Sequence, residues 1–280
     1  MTSPLNTKGL AAEIAAAYAN RQPIATPSSR YPEFDLVSAY AVEAELVRIR
    51  GASGHATIGR KVGYANKAIW RVLKLDTLAW AHMYDDTVHH ARNGETSLSI
   101  TRMYSPKIEP EIVFRLKAGA GPFQRRSGAE SPAVQAADAL DACEWIALGF
   151  EIIDCVFPAW QYQPADFVAA FGLHAALVVG QPRPIEPAMV DDLPRFTVRL
   201  LKDGQVAAEG SGRNVLRSPA ACLGELAAAA SRGPGADPLA GDEVISTGSM
   251  TESQPIAVGE TWNAQLDGLA LPALTLRVAR

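Results

Sequence analysis

Cysteine is scarce in this 280-residue chain: Cys143, Cys155 and Cys222 form no CxxC pair and cannot all bridge. They fit a reducing cytoplasm better than a disulfide scaffold. Nor is there a surplus of basic residues. With 26 Lys and Arg against 30 Asp and Glu, the net charge is −4, which argues against a nucleic-acid binder. No run approaches the roughly 20 apolar residues of a membrane span. The opening "MTSPLNTKGLAAEIAAAYANRQ" lacks the apolar core and small-residue cleavage site of a signal peptide, and reads as a short amphipathic helix. Several chemical signatures are missing too. There is no GxxxxGK[ST] phosphate loop, no GxGxxG after a strand and no GxSxG nucleophile elbow. The five histidines include no HExxH, and the neighbours His89 and His90 read as part of a solvated loop.

What is present is an ordinary globular composition, 48% hydrophobic and 20% charged. "FDLVSAYAVEAELVRIRG" carries apolar residues at helical spacing and closes at Gly51. "TIGRKVGYANKAIWRVL" reads as a short strand, then a helical turn opening near Asn66. From Ser97 strands dominate, interrupted by a loop, "GAGPFQRRSGAESP", and by helices opening at Ser131-Pro132 and Ser218-Pro219. Asp203-Gly204 and Asp267-Gly268 each mark a hairpin. With no internal repeat and no linker, the chain reads as one α+β domain over 1–280. Residues 1–95 form its helical N-terminal part and 96–280 its strand-rich, mixed-β body.

The strand "KIEPEIVFRL" holds two acids where a strand would bury apolar side chains. Alternation points Glu109 and Glu111 the same way, about 7 Å apart. They would suit the wet face of a half-exposed strand. Glu151, however, stands in "ALGFEIIDCVFP", a run apolar enough to be buried on both faces. A buried, unpaired carboxylate costs several kcal/mol or shifts its pKa upward. A hard divalent cation, Mg²⁺ or Mn²⁺, would relieve both anomalies, with open positions facing a ligand. Asp154 points to the other strand face and is left out of the set.

"GRKVGYANKAIW", "KIEPEIVF", "WIALGFEIID", "FGLHAALVVG" and "GDEVISTGSMTESQPIAVGE" occur in the order found in the fumarylacetoacetate hydrolase superfamily. From about residue 10 onward the chain resembles its 2-oxopent-4-enoate hydratase and 4-oxalocrotonate decarboxylase branch. The resemblance implies that fold, a homo-oligomer of at least two copies, association with another enzyme of the same pathway, and a role in aromatic catabolism. It also implies that Glu109, Glu111 and Glu151 bind Mg²⁺ or Mn²⁺, that Lys61 of the G-x-K-x-G motif is catalytic, and that Thr247 and Gly248 lie beside the substrate's carboxylate.

Residue chemistry and resemblance agree on metal-assisted enolate chemistry with a small 2-oxo acid. The first expectation is a hydratase-like lyase. A C–C hydrolase of an acylpyruvate is the alternative; it needs a general base over the site, for which Glu33 and His55 are the early candidates. Decarboxylation of a 2-oxo diacid and a non-catalytic homologue follow. The chain departs from the hydratase pattern where those enzymes carry an aspartate and it has Ala79, beside Trp80. It departs again at Phe171, Gly172 and Leu173, where they have polar residues. His174 is the nearest replacement and a candidate catalytic residue. Trp70, Trp80 and Tyr84 are either core or an aromatic wall that would suit a bulkier substrate.

Overall fold

Helix-forming spacing in the first fifty residues is realised as Thr7–Asn20 and Leu36–Ala52. Each opens on a side-chain cap: Asn6 accepts from the Gly9 amide, and Asp35 from the Ser38 amide. The structure is a computed structural model that describes residues 5–119 and 132–280. Most of the loop predicted between Gly119 and Pro132, and the Ser131 cap, therefore lie outside the described residues. The helical reading of 1–95 stops at Ala52. Beyond it, Thr57–Gly63, Ala79–Tyr84, Val88–His90 and Glu95–Ser99 are strands, with Lys67–Leu73 the one helix among them, capped by Asn66 as read. Ala79–Tyr84 is buried along its whole length, and a strand covered on both faces shows no alternation to read. His89 and His90, expected on a solvated loop, sit instead in an edge strand paired with His174–Val179.

The larger sheet is mixed. Its strands run in the order Ala79–Tyr84, Thr57–Gly63, Val244–Ser249, Lys107–Leu116, Cys143–Ile153, His174–Val179 and Val88–His90. Two short strands, Gln254–Pro255 and Arg183–Pro184, add to its middle. Thr57–Gly63 is parallel to Val244–Ser249, and Val88–His90 to His174–Val179; the other main-order pairs are antiparallel. At its centre Ile112, Phe114, Ile146 and Phe150 are fully buried, each stabilising the fold by about 1.5–3 kcal/mol. The Pro219–Arg232 helix packs on Pro132–Asp141 and on the Val244 strand.

A second sheet runs Gln205–Ser211, Thr197–Lys202, Thr261–Asp267, Leu274–Ala279 and Glu95–Ser99. The Asp203-Gly204 turn joins its first two strands, both turn residues having positive φ as a tight hairpin requires. Asp267-Gly268 opens a longer connection than the two-residue turn expected. Its strands do pair, with Ala264 opposite Leu274, but Leu269 and Leu271 fold inward first and draw the chain off the ladder.

Candidate active site

Alternation along Lys107–Leu116 puts Glu109 and Glu111 on one face, and antiparallel register with Cys143–Ile153 sets Glu151 directly opposite Glu109. Each of the three offers an oxygen within 4.8 Å of the others. Lys61 reaches them from Thr57–Gly63, its Nζ 3.0 Å from Glu151 Oε2 and donating to the Gly172 carbonyl at 2.9 Å. The motif's flanking glycines are spacing devices. A Cβ at Gly59 would lie 1.8 Å from the Val244 carbonyl oxygen, and one at Gly63 would lie 2.2 Å from the Phe167 ring. Without them the Lys61 strand could approach neither its parallel neighbour nor the ring that roofs the lysine, whose Nζ is 4.9 Å from the ring centroid.

Glu111 and Glu151 are fully buried. Glu111 Oε2 accepts from the Ser246 hydroxyl and the Gly248 amide, while Oε1 is buried with no hydrogen-bond partner among the described residues. Glu151 Oε1 faces His174 Nδ1 at 2.9 Å, and His174 Nε2 faces the Thr87 hydroxyl at 2.9 Å. Burial, then the charges of Glu111 and Glu151, push the Glu109 carboxyl up to about 8. Burial and Glu151 push Glu111 up to about 8 as well, and burial raises Glu151 against the pull of Lys61. Burial also works against the Lys61 ammonium, but Glu151, Glu109 and Glu111 together outweigh it and hold its pKa above the usual value. Burial and the Lys61 charge lower His174 to about 3, so its ring is neutral.

Two buried carboxylates and the half-buried Glu109 thus face one ammonium, and among the described residues Glu111 Oε1 has no hydrogen-bond partner. An all-oxygen set with that surplus of negative charge fits a hard divalent cation such as Mg²⁺ or Mn²⁺, and among the described residues no nitrogen or sulfur joins it as zinc would prefer. Above it opens a cavity of about 460 Å³ with Lys61, Glu109 and Gly248 in its lining. Tyr64, Tyr162, Phe167, Ile69 and Met250 form its walls. This volume is in the range of small-molecule sites.

The structure brings Lys61, Glu109, Glu111, Glu151 and Gly248 together. His174 stands behind Glu151 and does not line the cavity. Thr247 is buried, its hydroxyl donating to the Ile112 carbonyl. Trp70, Trp80 and Tyr84 belong to the core. Trp70 donates to the Tyr64 carbonyl, and Trp80 packs against Tyr40, His82 and the Arg60 guanidinium on the far face of the Lys61 strand. Ala79 and Ala81, by contrast, share Lys61's face, so where hydratases carry the aspartate this chain offers a buried methyl. The walls actually present, Tyr64, Tyr162 and Phe167, escaped the sequence reading. Tyr64 follows the G-x-K-x-G motif directly and has positive φ, a signal visible only in the backbone.

No family model matches the chain. It is 28% identical over 246 residues to the 2-hydroxyhexa-2,4-dienoate hydratase of Comamonas testosteroni, covering 88% of each chain. It is 27% identical over 270 residues to 2-keto-4-pentenoate hydratase 1 of Dechloromonas aromatica, covering 95% of each. Its fold matches 4-oxalocrotonate decarboxylase from Pseudomonas putida G7, solved with magnesium and adipate, at a TM-score of 0.85 and 24% identity over 99% of each chain. A helical entry followed by a mixed sheet and a second, smaller sheet, with acids from neighbouring strands under a cavity, marks an enzyme fold of the fumarylacetoacetate hydrolase type. In fold and sequence the chain is similar to proteins of the fumarylacetoacetate hydrolase superfamily, with 2-keto-4-pentenoate hydratases and 4-oxalocrotonate decarboxylase among its relatives.

Proposed function

We propose that the chain, acting as one catalytic domain, is a metal-dependent hydratase-like lyase for a 2-oxo acid or its dienol. Glu109, Glu111 and Glu151 would hold Mg²⁺ or Mn²⁺. The observation that carries this reading is the surplus of buried carboxylates under the cavity, with Glu111 Oε1 left without a partner. The hydratases and the magnesium-bound decarboxylase among its relatives support it. When bound, the ion supplies Lewis-acid stabilisation of the negative charge that develops on the substrate's oxygens as C3 loses a proton.

The chain's own residues do the rest. Lys61, held as an ammonium, stabilises developing charge and donates a proton, while the C3 proton passes to Glu109, the one of the three carboxylates that lines the cavity. Gly248 flanks the substrate's carboxylate end; Thr247, with its hydroxyl committed to Ile112, shapes that end through its backbone. His174 holds Glu151 in place and acts through it. Ala79 removes the acid of the hydratase pattern. Protonation at the distal carbon therefore falls to Lys61 and to the Tyr64 and Tyr162 phenols, which burial keeps protonated well above their usual range. Phe167 and Met250, both lining the cavity, give it apolar walls around the distal alkene to which water adds.

The hydrolase alternative lacks its base. Among the described residues, Glu33 is exposed, and His55 lies in a surface cluster with Asp85 and Asp86; neither lines the cavity. A homo-oligomer and a place in aromatic catabolism belong to the same proposal.

The test is proton exchange at C3. Mg²⁺-loaded protein is incubated in D₂O with a panel of 2-oxo acids and followed by NMR. Deuterium uptake that vanishes on chelation and in a Glu109→Gln variant is the expected result, and the accumulating product separates hydration from decarboxylation. Metal binding without exchange of any acid would overturn the reading in favour of a non-catalytic homologue.

A further inference from the structure

The cavity has two chemically different ends. Lys61 and Glu109 lie at its buried floor. Glu209 and Glu252 are exposed lining residues and so stand at its mouth. Among the described residues neither has a cationic partner, and Lys61, the one cation in the lining, already carries Glu151. Around the mouth Asn66 Nδ2 is without an acceptor among the described residues, and three other donors are spent on main-chain carbonyls. Ser249 Oγ donates to Thr251, Thr251 Oγ1 to Glu252, and Asn214 Nδ2 to Met250. The Asn214 side-chain oxygen and two carboxylates remain as acceptors.

A 2-oxo acid seated with its carboxylate and oxo group at the floor sends its tail past Tyr64, Phe167, Ile69 and Met250 to this mouth. An apolar tail meets an apolar wall. A tail ending in a second carboxylate meets two like charges and no free cation in the lining, Arg199 across the ladder from Glu209 being turned to Gln265, and like-charge repulsion and the lost hydration both penalise it. We infer that Glu209 and Glu252 are specificity-determining residues that restrict the enzyme to 2-oxo acids with a single carboxylate and an uncharged tail, and turn dicarboxylates away. The inference rests on the 2-oxo acid reading of the site. It separates this chain from the decarboxylase of like fold, whose complex holds the dicarboxylate adipate.

Two six-carbon probes test it: 2-oxohexanoate and 2-oxoadipate, alike except that one ends in a methyl and the other in a carboxylate. Their affinities for Mn²⁺-loaded protein are measured by calorimetry at low and high salt. The monoacid should bind about fivefold tighter or better at low salt, and the ratio should shrink at 0.5 M salt as screening shortens to a few ångströms. In a Glu209→Gln/Glu252→Gln variant the ratio should fall to near one while Mn²⁺ affinity stays at the parent value, because the floor is untouched. Equal or tighter binding of the diacid to the parent protein overturns the inference, as does an unchanged ratio in the double variant; both leave the 2-oxo acid reading standing. Failure of both acids to bind the Mn²⁺-loaded protein removes that reading and the inference with it.

Discussion

Glu151 is oriented from two sides, by an ammonium on one oxygen and a ring nitrogen on the other. His174 meets it with Nδ1 while Thr87 braces the ring's far side, so the imidazole fixes where a ligand oxygen can point. Removing an orienting partner of this kind weakens metal binding by about 10–100-fold. His174→Leu should show that loss in a Mn²⁺ titration read by electron paramagnetic resonance. His174→Asn, which keeps an N–H near the Nδ1 position, should recover most of it. Parent-like Mn²⁺ affinity in the leucine variant would remove the positioning role. The acids were legible in sequence because charge in an apolar strand is conspicuous. Their partners were not. A histidine at the head of "HAALVV" carries no mark of which side chain it meets, because that depends on the cross-strand register with Glu151's strand. Tyr162 was silent for a similar reason: it lies in a loop whose path is fixed by tertiary contacts rather than by local pattern.

Elements were legible where one face is wet and illegible where both are dry. Leu36–Ala52 announces itself by period and cap, and the Asp203-Gly204 hairpin by its turn residues. Ala79–Tyr84, dry on both sides, contributes Lys61's neighbour in the sheet yet reads only as an aromatic-rich stretch. Chain-level pairing is equally hidden: Thr57–Gly63 lies beside Val244–Ser249, about two thirds of the chain away. At Gly59 the two strands lie so close that an added Cβ would fall 1.8 Å from the Val244 carbonyl oxygen. Gly59→Ala would force the parallel pair apart, a backbone clash with no flexible atom to yield. A destabilisation of about 3 kcal/mol or more is expected, seen as a fall in Tm of several degrees, with the Lys61 strand displaced from its place beside the acids. A substitution at Gly51, which has open space around it, is the control and should leave Tm within about a degree.

For the whole molecule, the acid cluster is a liability until it is neutralised. Ligand binding to the folded state raises stability by RT ln(1 + [L]/Kd), about 2.7 kcal/mol at a hundredfold excess over Kd. Mn²⁺ should therefore raise Tm by several degrees, and a chelator should reverse the rise. Glu111→Gln should behave in the opposite sense on each side. It removes a carboxyl whose ionisation burial and Glu151 already oppose, so the metal-free variant should melt at or above the parent, while the Mn²⁺-induced rise should shrink or disappear. A variant that melts lower without metal and responds to it fully would show that Glu111 serves packing alone. Among the described residues, no helix is long and apolar enough to cross a membrane.

The floor and the mouth of the cavity come from different parts of the chain. Lys61 and the three acids stand on the larger sheet, whereas Glu209 stands on Gln205–Ser211, the outermost strand of the smaller one. Gly210 has no Cβ to keep the strand's backbone from lying against the Met250 carbonyl. Half of the choice of substrate is thus inherited apart from the chemistry: Glu252 follows a strand of the larger sheet, and Glu209 alone rides on the smaller one. One edge hairpin can drift, or be exchanged with that of a relative, and hand the same reaction a new clientele without touching the groups that perform it.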